Sequence, residues 1–125
     1  MIAATDPTKV FFVNGSTRQL YTGFITAGVA SDQQIIAAIS GQRIRVMGWT
    51  ANAIGATVGT YLFKSASTGT ARTAAITSPS TALALQQLFP ITASGYFETN
   101  TGEGLFVDVA TAAVNITVFY ISYTP

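Results

Sequence analysis

Few residues in this chain could carry out chemistry. Its 125 residues include no histidine and no cysteine, and its carboxylates are confined to positions 6, 32, 98, 103 and 108. Histidine is the usual general base and metal ligand, and a serine or threonine nucleophile needs such a base to be activated. We therefore expect no catalytic residue, no cofactor and no metal site, and the chain is predicted not to be an enzyme.

Glu98 and Glu103 come closest to a functional pair. They flank the turn residues Asn100, Thr101 and Gly102, which predict a hairpin over residues 95–109, and in this hairpin the two carboxylates could face each other. Such a pair could hydrolyse a glycoside or bind calcium together with nearby carbonyl oxygens. Because no regular ligand pattern surrounds them, we favour two solvated charges at the mouth of a turn.

Arg43 and Arg45 lie two residues apart and therefore share one face of a predicted strand. They either form salt bridges to another protein chain or lie on a solvated strand face; arginine is enriched in protein interfaces.

Four aromatic residues could bind a carbohydrate, because aromatic rings can stack on sugars. For these we favour packing in the core or at an interface, which is the commoner role of aromatic residues in strands; they are Tyr21, Trp49, Tyr61 and Tyr96.

The charge content is low. Only 9% of the residues are charged, against about 25% in ordinary soluble domains. Removing a neutral surface from water is cheaper than removing a charged one, so the composition favours a protein that is largely covered by other protein. The six basic residues are scattered and the net charge is +1, so we expect no nucleic-acid partner.

The uncharged middle of the chain does not predict a membrane span, and its first residues do not predict a secretory signal. Residues 73–97 carry no charge, but Pro79 and Pro90 interrupt them and many are Ser, Thr or Gln, unlike a run of about 20 apolar residues. The first residues lack a basic region followed by an apolar core, so no secretory signal is expected.

Short runs of β-branched and aromatic residues alternate with Gly, Ser, Asn and Pro along the whole chain. This pattern is typical of an all-β sandwich or barrel. We predict a single domain over residues 9–125, preceded by an N-terminal arm at residues 1–8. The predicted strands cover residues 9–13, 18–26, 33–40, 42–52, 56–64, 72–77, 95–99, 103–110 and 113–123; residues 83–91 are a short strand or a helical turn.

Two of these strands have unusual patterns. In the fourth, the bulky residues switch phase between Val46 and Trp49, next to Gly48, which predicts a β-bulge. The last strand is apolar on both faces. Because a strand of this kind is usually covered on both faces, we expect another subunit to provide the second cover.

Several sequence blocks resemble those of small bacteriophage virion proteins. An apolar run leads through Gly41 into a basic strand over residues 35–47, and Phe63, Lys64 and Ser65 end a later strand. Gly95-Tyr96-Phe97-Glu98-Thr99 and Gly102-Glu103-Gly104-Leu105 follow. The resemblance covers residues 35–123. It implies an antiparallel jelly-roll β-sandwich of about eight or nine strands, of the kind found in capsid cement (decoration) proteins, which typically form homotrimers.

From this resemblance we expect a phage cement protein, made in the host cytoplasm and bound to the outer surface of the capsid. Its partners would be copies of itself and the major capsid protein, with no membrane. The alternative is a receptor- or carbohydrate-binding head of a tail fibre or spike. The residues predicted to lie in subunit or capsid interfaces are Lys9, Phe11, Arg43, Arg45, Trp49, Phe119, Ile121 and Tyr123.

Overall fold

The structure is a computed structural model that describes residues 10–13, 16–55, 57–79 and 86–125, with side chains described from Arg18 onward. These residues form twelve strands, and they include no helix that could cross a membrane. The strands are β1 (Val10–Val13), β2 (Ser16–Gln19), β3 (Tyr21–Ala27), β4 (Ala30–Ile36), β5 (Arg43–Ala53), β6 (Thr60–Ser65), β7 (Thr70–Ala71), β8 (Ile76–Thr77), β9 (Gln87–Phe89), β10 (Phe97–Glu98), β11 (Leu105–Ala110) and β12 (Val114–Tyr123).

Two antiparallel sheets of five strands each pack face to face. Sheet I has the order β10–β5–β12–β3, and β9 also pairs with β5. Sheet II has the order β4–β11–β6–β7, and β8 also pairs with β6. Strands β1 and β2 form a separate hairpin. The predicted all-β sandwich is therefore confirmed, while the jelly-roll connectivity stays a prediction.

Period-two alternation builds the core between the sheets. In β11 the side chains of Leu105, Val107 and Val109 are buried, and the residues between them are partly exposed. Strand β12 repeats the pattern with Val114, Ile116 and Val118 in the same core. Successive side chains of a strand point to opposite faces, so this spacing directs one apolar face of each sheet inward.

The predicted β-bulge is present in β5. Phe119 of β12 lies opposite Gly48 and Tyr120 lies opposite Val46, so Met47 is the extra residue of the bulge. A side chain at position 48 would not fit, because a Cβ atom there would lie 2.7 Å from the carbonyl oxygen of Phe89. The bulge brings Val46 and Trp49 into the same core despite their odd spacing.

The predicted hairpin of residues 95–109 does not form. Phe97 and Glu98 of β10 pair with β5 in sheet I, whereas β11 lies between β4 and β6 in sheet II. The intervening segment crosses the end of the sandwich: Thr99 N donates to the carbonyl of Ile44 at 2.9 Å, and Gly102 N donates to that of Gln42 at 2.8 Å. These bonds satisfy the backbone without pairing the two strands to each other.

The second face of β12 is covered in part by this chain itself. Ile121 and Tyr123 are buried with Met47 in a small cluster outside the main core, and Leu20 packs against it. Leu20 lies between β2 and β3, which divides the predicted strand 18–26 into two. Another subunit is therefore not needed to cover this end of β12, although Asn115, Thr117 and Phe119 remain at least partly exposed.

Several other predicted strands are shorter or displaced. Strand β4 ends at Ile36, so Ala37–Ser40 of the predicted third strand lie outside it. The backbone of Gly104 packs closely against this end, because a Cβ atom at position 104 would lie 2.6 Å from the carbonyl oxygen of Ile36. The predicted strand 72–77 is replaced by the two-residue strands β7 and β8, both paired with β6.

Candidate assembly surface

The outer face of sheet I carries an uncharged patch. Directly paired residues of neighbouring strands share a face, so Leu88, Thr50, Thr117 and Phe24 form one row across β9, β5, β12 and β3. Parallel rows pair Phe119 with Thr22, and Asn115 with both Asn52 and Thr26. We call these residues the uncharged patch: Thr22, Phe24, Thr26, Thr50, Asn52, Leu88, Asn115, Thr117 and Phe119.

Two large apolar side chains project from this patch into solvent. Phe24 is 77% exposed and Leu88 is 63% exposed. Between them the surface is threonine and asparagine, and Thr26 Oγ1 donates to Asn115 Oδ1 at 2.9 Å. None of the charged residues in the described part of the chain belongs to the patch. Uncharged groups of this kind lose less hydration free energy than charged groups do when another protein covers them.

The opposite end of the same face is charged and internally paired. Arg45 Nε donates to Glu98 Oε2 at 2.7 Å, and Arg43 Nη1 lies 3.4 Å from Glu98 Oε1. The Tyr123 hydroxyl donates to Glu98 Oε2, and Arg45 Nη2 donates to that hydroxyl at 3.2 Å. The Arg45 guanidinium also lies 4.9 Å from the centre of the Tyr123 ring. The predicted pair of arginines thus binds a carboxylate of its own chain.

Competing effects set the pKa of Glu98. Partial burial alone would raise the pKa of this carboxyl, but hydrogen bonds from Tyr123 and Arg45 outweigh it and hold the pKa below its ordinary value. Burial raises the pKa of the Tyr123 phenol, and the bond to the Glu98 carboxylate raises it further. The cluster therefore holds a charged carboxylate and a neutral phenol at neutral pH.

Sheet II has a different charged network on its outer face. Lys64 Nζ donates to Asp32 Oδ1 at 2.5 Å and lies 3.4 Å from Asp108 Oδ2. Asp108 in turn accepts the backbone N–H of Asp32 at 2.7 Å. Asp32 has a φ of +57° at a register shift between β4 and β11, a conformation that aspartate tolerates better than most residues.

Glu98 and Glu103 do not form a pair. Glu103 Oε1 accepts from the Ser65 hydroxyl at 2.7 Å and from Asn100 Nδ2 at 3.0 Å, so it belongs to the end of sheet II. Each carboxylate thus has its own partners, so the two do not face each other as a pair, and both remain partly exposed to solvent. The described residues include no group of three or more His, Cys, Asp or Glu that could hold a metal ion.

Trp49 lies at the centre of an aromatic cluster inside the sandwich. It is 2% exposed, stacks on Phe89 at 4.1 Å between ring centres and meets Phe63 edge-on at 5.1 Å. Its Nε1–H donates to the Tyr61 hydroxyl at 2.9 Å, and that hydroxyl donates to Gln87 Oε1 at 2.5 Å. Burial raises the pKa of Tyr61 to about 12. Packing in the core is therefore the role of Trp49 and Tyr61.

The other two aromatic residues considered for sugar stacking are partly exposed and lie apart on different elements. Tyr96 meets Trp49 edge-on, and its hydroxyl donates to the carbonyl of Pro90 at 2.7 Å. Tyr21 packs against Tyr120 at 5.8 Å between ring centres. Because Trp49 is buried, it adds no second exposed ring beside either of them.

The predicted interface residues have several different locations. Lys9 lies outside the described residues, and Phe11 lies in β1, where only the backbone is described. Arg43, Arg45 and Tyr123 form the Glu98 cluster, while Trp49 and Ile121 are buried. Phe119 alone among them lies in the uncharged patch. Their contacts with a neighbouring chain remain predictions.

Sequence reasoning missed Phe24 and Leu88, the two exposed large apolar residues of the uncharged patch. Phe24 lies between Thr22 and Thr26 at strand spacing, which places an aromatic ring on the polar face of β3. This alternation could have predicted that the ring of Phe24 is exposed. The sequence around Leu88 is irregular and did not define its strand, so it could not predict the exposure of this side chain.

Comparisons with known proteins show the fold but no family. No protein-family model matches the chain, and no curated protein sequence matches it. A chain from the solved structure described as “Bacillus endospore appendages form a novel family of disulfide-linked pili” is similar in fold. The TM-score is 0.51 at 16% sequence identity, over 99% of this chain and 97% of that one.

Proposed function

We propose that this chain is a structural subunit that assembles with copies of itself on the outside of a larger particle. The uncharged patch, with Phe24 exposed to solvent, carries this proposal. Covering an exposed aromatic ring on a neutral sheet face is favourable, because its apolar surface is removed from water. The charged residues nearby already bind partners within the chain, so they do not oppose the contact.

In its finer form, the proposal is a bacteriophage capsid cement protein that binds the head shell as a homotrimer. The sequence resemblance to small virion proteins supports it. Many modest contacts on one particle add up, because each bound subunit raises the effective concentration of the next contact. Binding to the assembled shell and not to its free subunits stabilises the shell by mass action.

A pilus-like appendage is the second candidate, and the fold likeness over nearly the whole chain favours it. The similar structure is described as disulfide-linked. This chain has no cysteine, so disulfides cannot join these 125 residues to those of another copy. A carbohydrate-binding head has less support, because the ring of Trp49 is covered by the chain's own aromatic residues.

Sedimentation of the purified chain at micromolar concentration tests self-assembly. We expect a discrete oligomer, with a trimer supporting the cement form and an open-ended series supporting the appendage. A monomer at every concentration would contradict the proposed function. Addition of the protein to undecorated capsids should then raise their resistance to heat, and an unchanged resistance would reject the cement form while leaving self-assembly standing.

A further inference from the structure

The edges of the two sheets differ in whether another strand can pair with them. On one side, sheet I ends in the short strands β9 and β10, and sheet II ends in the two-residue strands β7 and β8. On the other side, sheet II ends in β4, whose register with β11 shifts twice. Short and bulged edges resist further pairing. The remaining edge is β3, with seven residues in unbroken register with β12.

Strand β3 lacks the features that normally protect an edge. It contains no charged residue, no proline and no bulge. Its backbone bonds to β12 on one side, and within the described part of the chain no residue bonds to the backbone on its other side. Every second residue of an edge strand points its N–H and C=O groups outward, so β3 presents a row of them to solvent.

We propose that two copies of this chain pair antiparallel through β3, about a two-fold axis at Phe24. This inference rests on the proposed self-assembly and names the contact. Centring on Phe24 overlaps all seven residues and places Phe24 opposite Phe24 of the second copy. Thr22 then lies opposite Thr26 of the second copy, so that hydroxyl groups face each other on the outer face. On the inner face Gly23 lies opposite Ile25, and Tyr21 lies opposite Ala27.

The sequence of β3 makes this register self-complementary. Each large inner residue meets a small one, so side chains of the two copies do not compete for space. No like charges face each other, because the strand carries none. The uncharged patches of the two copies become continuous across the axis. A two-fold contact cannot by itself build a trimer, so in a trimeric protein it would join copies that belong to neighbouring trimers.

Single cysteines test the register, because the chain has no cysteine of its own. Under mild oxidation, F24C should cross-link to itself, since the two side chains meet at the axis. T22C alone and T26C alone should not, because their Cα atoms in the two copies would lie well beyond the ~7 Å limit for a disulfide. A mixture of T22C and T26C chains should cross-link as a heterodimer.

Charge variants test the contact without a cross-link. Phe24→Lys places like charges opposite each other at the axis and should weaken self-association about tenfold or more. Leu88→Lys is the matched control: its side chain is similarly exposed on the same patch, but it lies at the far side of sheet I. It should change self-association much less. Circular dichroism verifies that both variants keep their strands.

The outcomes separate this inference from the proposed function. The association tested is the wild-type dimer or, in a trimeric protein, the association of one trimer with another. If it persists in Phe24→Lys, or loses as much affinity in Leu88→Lys, pairing through β3 is overturned but self-assembly stands. Efficient self-linking of T22C or T26C, or no cross-linking of F24C within that association, would overturn the register. A monomeric wild-type chain would overturn the proposed function itself.

Discussion

Arg45 and Glu98 lie directly opposite each other on β5 and β10, and Arg45 Nε donates to Glu98 Oε2 at 2.7 Å. Because β10 has only two residues, this side-chain contact reinforces a very short backbone ladder. Arg43 shares the same carboxylate at the longer distance of 3.4 Å and is more exposed. The two arginines that look equivalent in the sequence therefore differ in how much they should stabilise the fold.

Arg45→Gln should lower the free energy of unfolding by about 1–2 kcal/mol, because it removes a charge-assisted hydrogen bond from a partly buried carboxylate and the ring contact with Tyr123. Arg43→Gln is the matched control and should cost less than about 0.5 kcal/mol, as is usual for an exposed ion pair. Urea unfolding of both variants measures the difference. Equal losses would contradict the assignment of Arg45 as the principal partner.

Acid should destabilise the protein through Glu98. The pKa of this carboxyl is held below its ordinary value of 4.5 in the folded chain, so around and below that pH the unfolded chain binds more protons than the folded one. The stabilisation is therefore complete above the unfolded pKa and is lost as the pH falls through the folded pKa.

Unfolding temperatures measured from pH 7 to pH 3 should fall more steeply for the wild type than for Glu98→Gln. The variant should retain part of the acid dependence, because Asp32 and Glu103 also have lowered pKa values; parallel curves would argue against a role of Glu98.

Gly48→Ala should destabilise the bulge of β5. A Cβ atom at this position would lie 2.7 Å from the carbonyl oxygen of Phe89 and 2.9 Å from the backbone nitrogen of Ile91, so backbone must move. We expect a loss of about 1–3 kcal/mol, typical of overpacking. Gly28→Ala meets no atom within 4 Å and serves as the control; it should leave stability unchanged or raise it by up to about 1 kcal/mol. Thermal unfolding compares the two, and a harmless Gly48→Ala would refute the close approach.

Tyr61→Phe should destabilise the core although it removes one oxygen atom. That hydroxyl accepts from Trp49 Nε1 and donates to Gln87 Oε1, so its loss leaves two polar groups without this partner. We expect a cost of about 1–3 kcal/mol. Tyr96→Phe is the control, because Tyr96 is 40% exposed and water can replace its bond to Pro90. Trp49 is the sole tryptophan, so its fluorescence reports directly on unfolding, and a Tyr61→Phe variant as stable as the control would contradict the network.

The sequence by itself determined the strand content, the absence of histidine and cysteine, and the phase switch at Gly48. These are local properties. Alternating β-branched residues favour a strand, and an extra residue in one strand shifts the alternation of its side chains between the two faces. Only the tertiary structure decided which strands are neighbours. Residues 95–109 look like a hairpin, but burial of Phe97 beside β5 and of Leu105 beside β6 places the two arms in different sheets.

The same contrast between local spacing and tertiary packing explains which features of the candidate surface were predicted and which were missed. That Arg43 and Arg45 share a face follows from strand spacing, but their partner Glu98 is more than fifty residues away in the chain and no local rule connects them. Exposure of Phe24 and burial of Trp49 likewise depend on which neighbours cover each ring. Spacing fixed the faces of each strand, and packing of the two sheets decided which of those faces remain open to another chain.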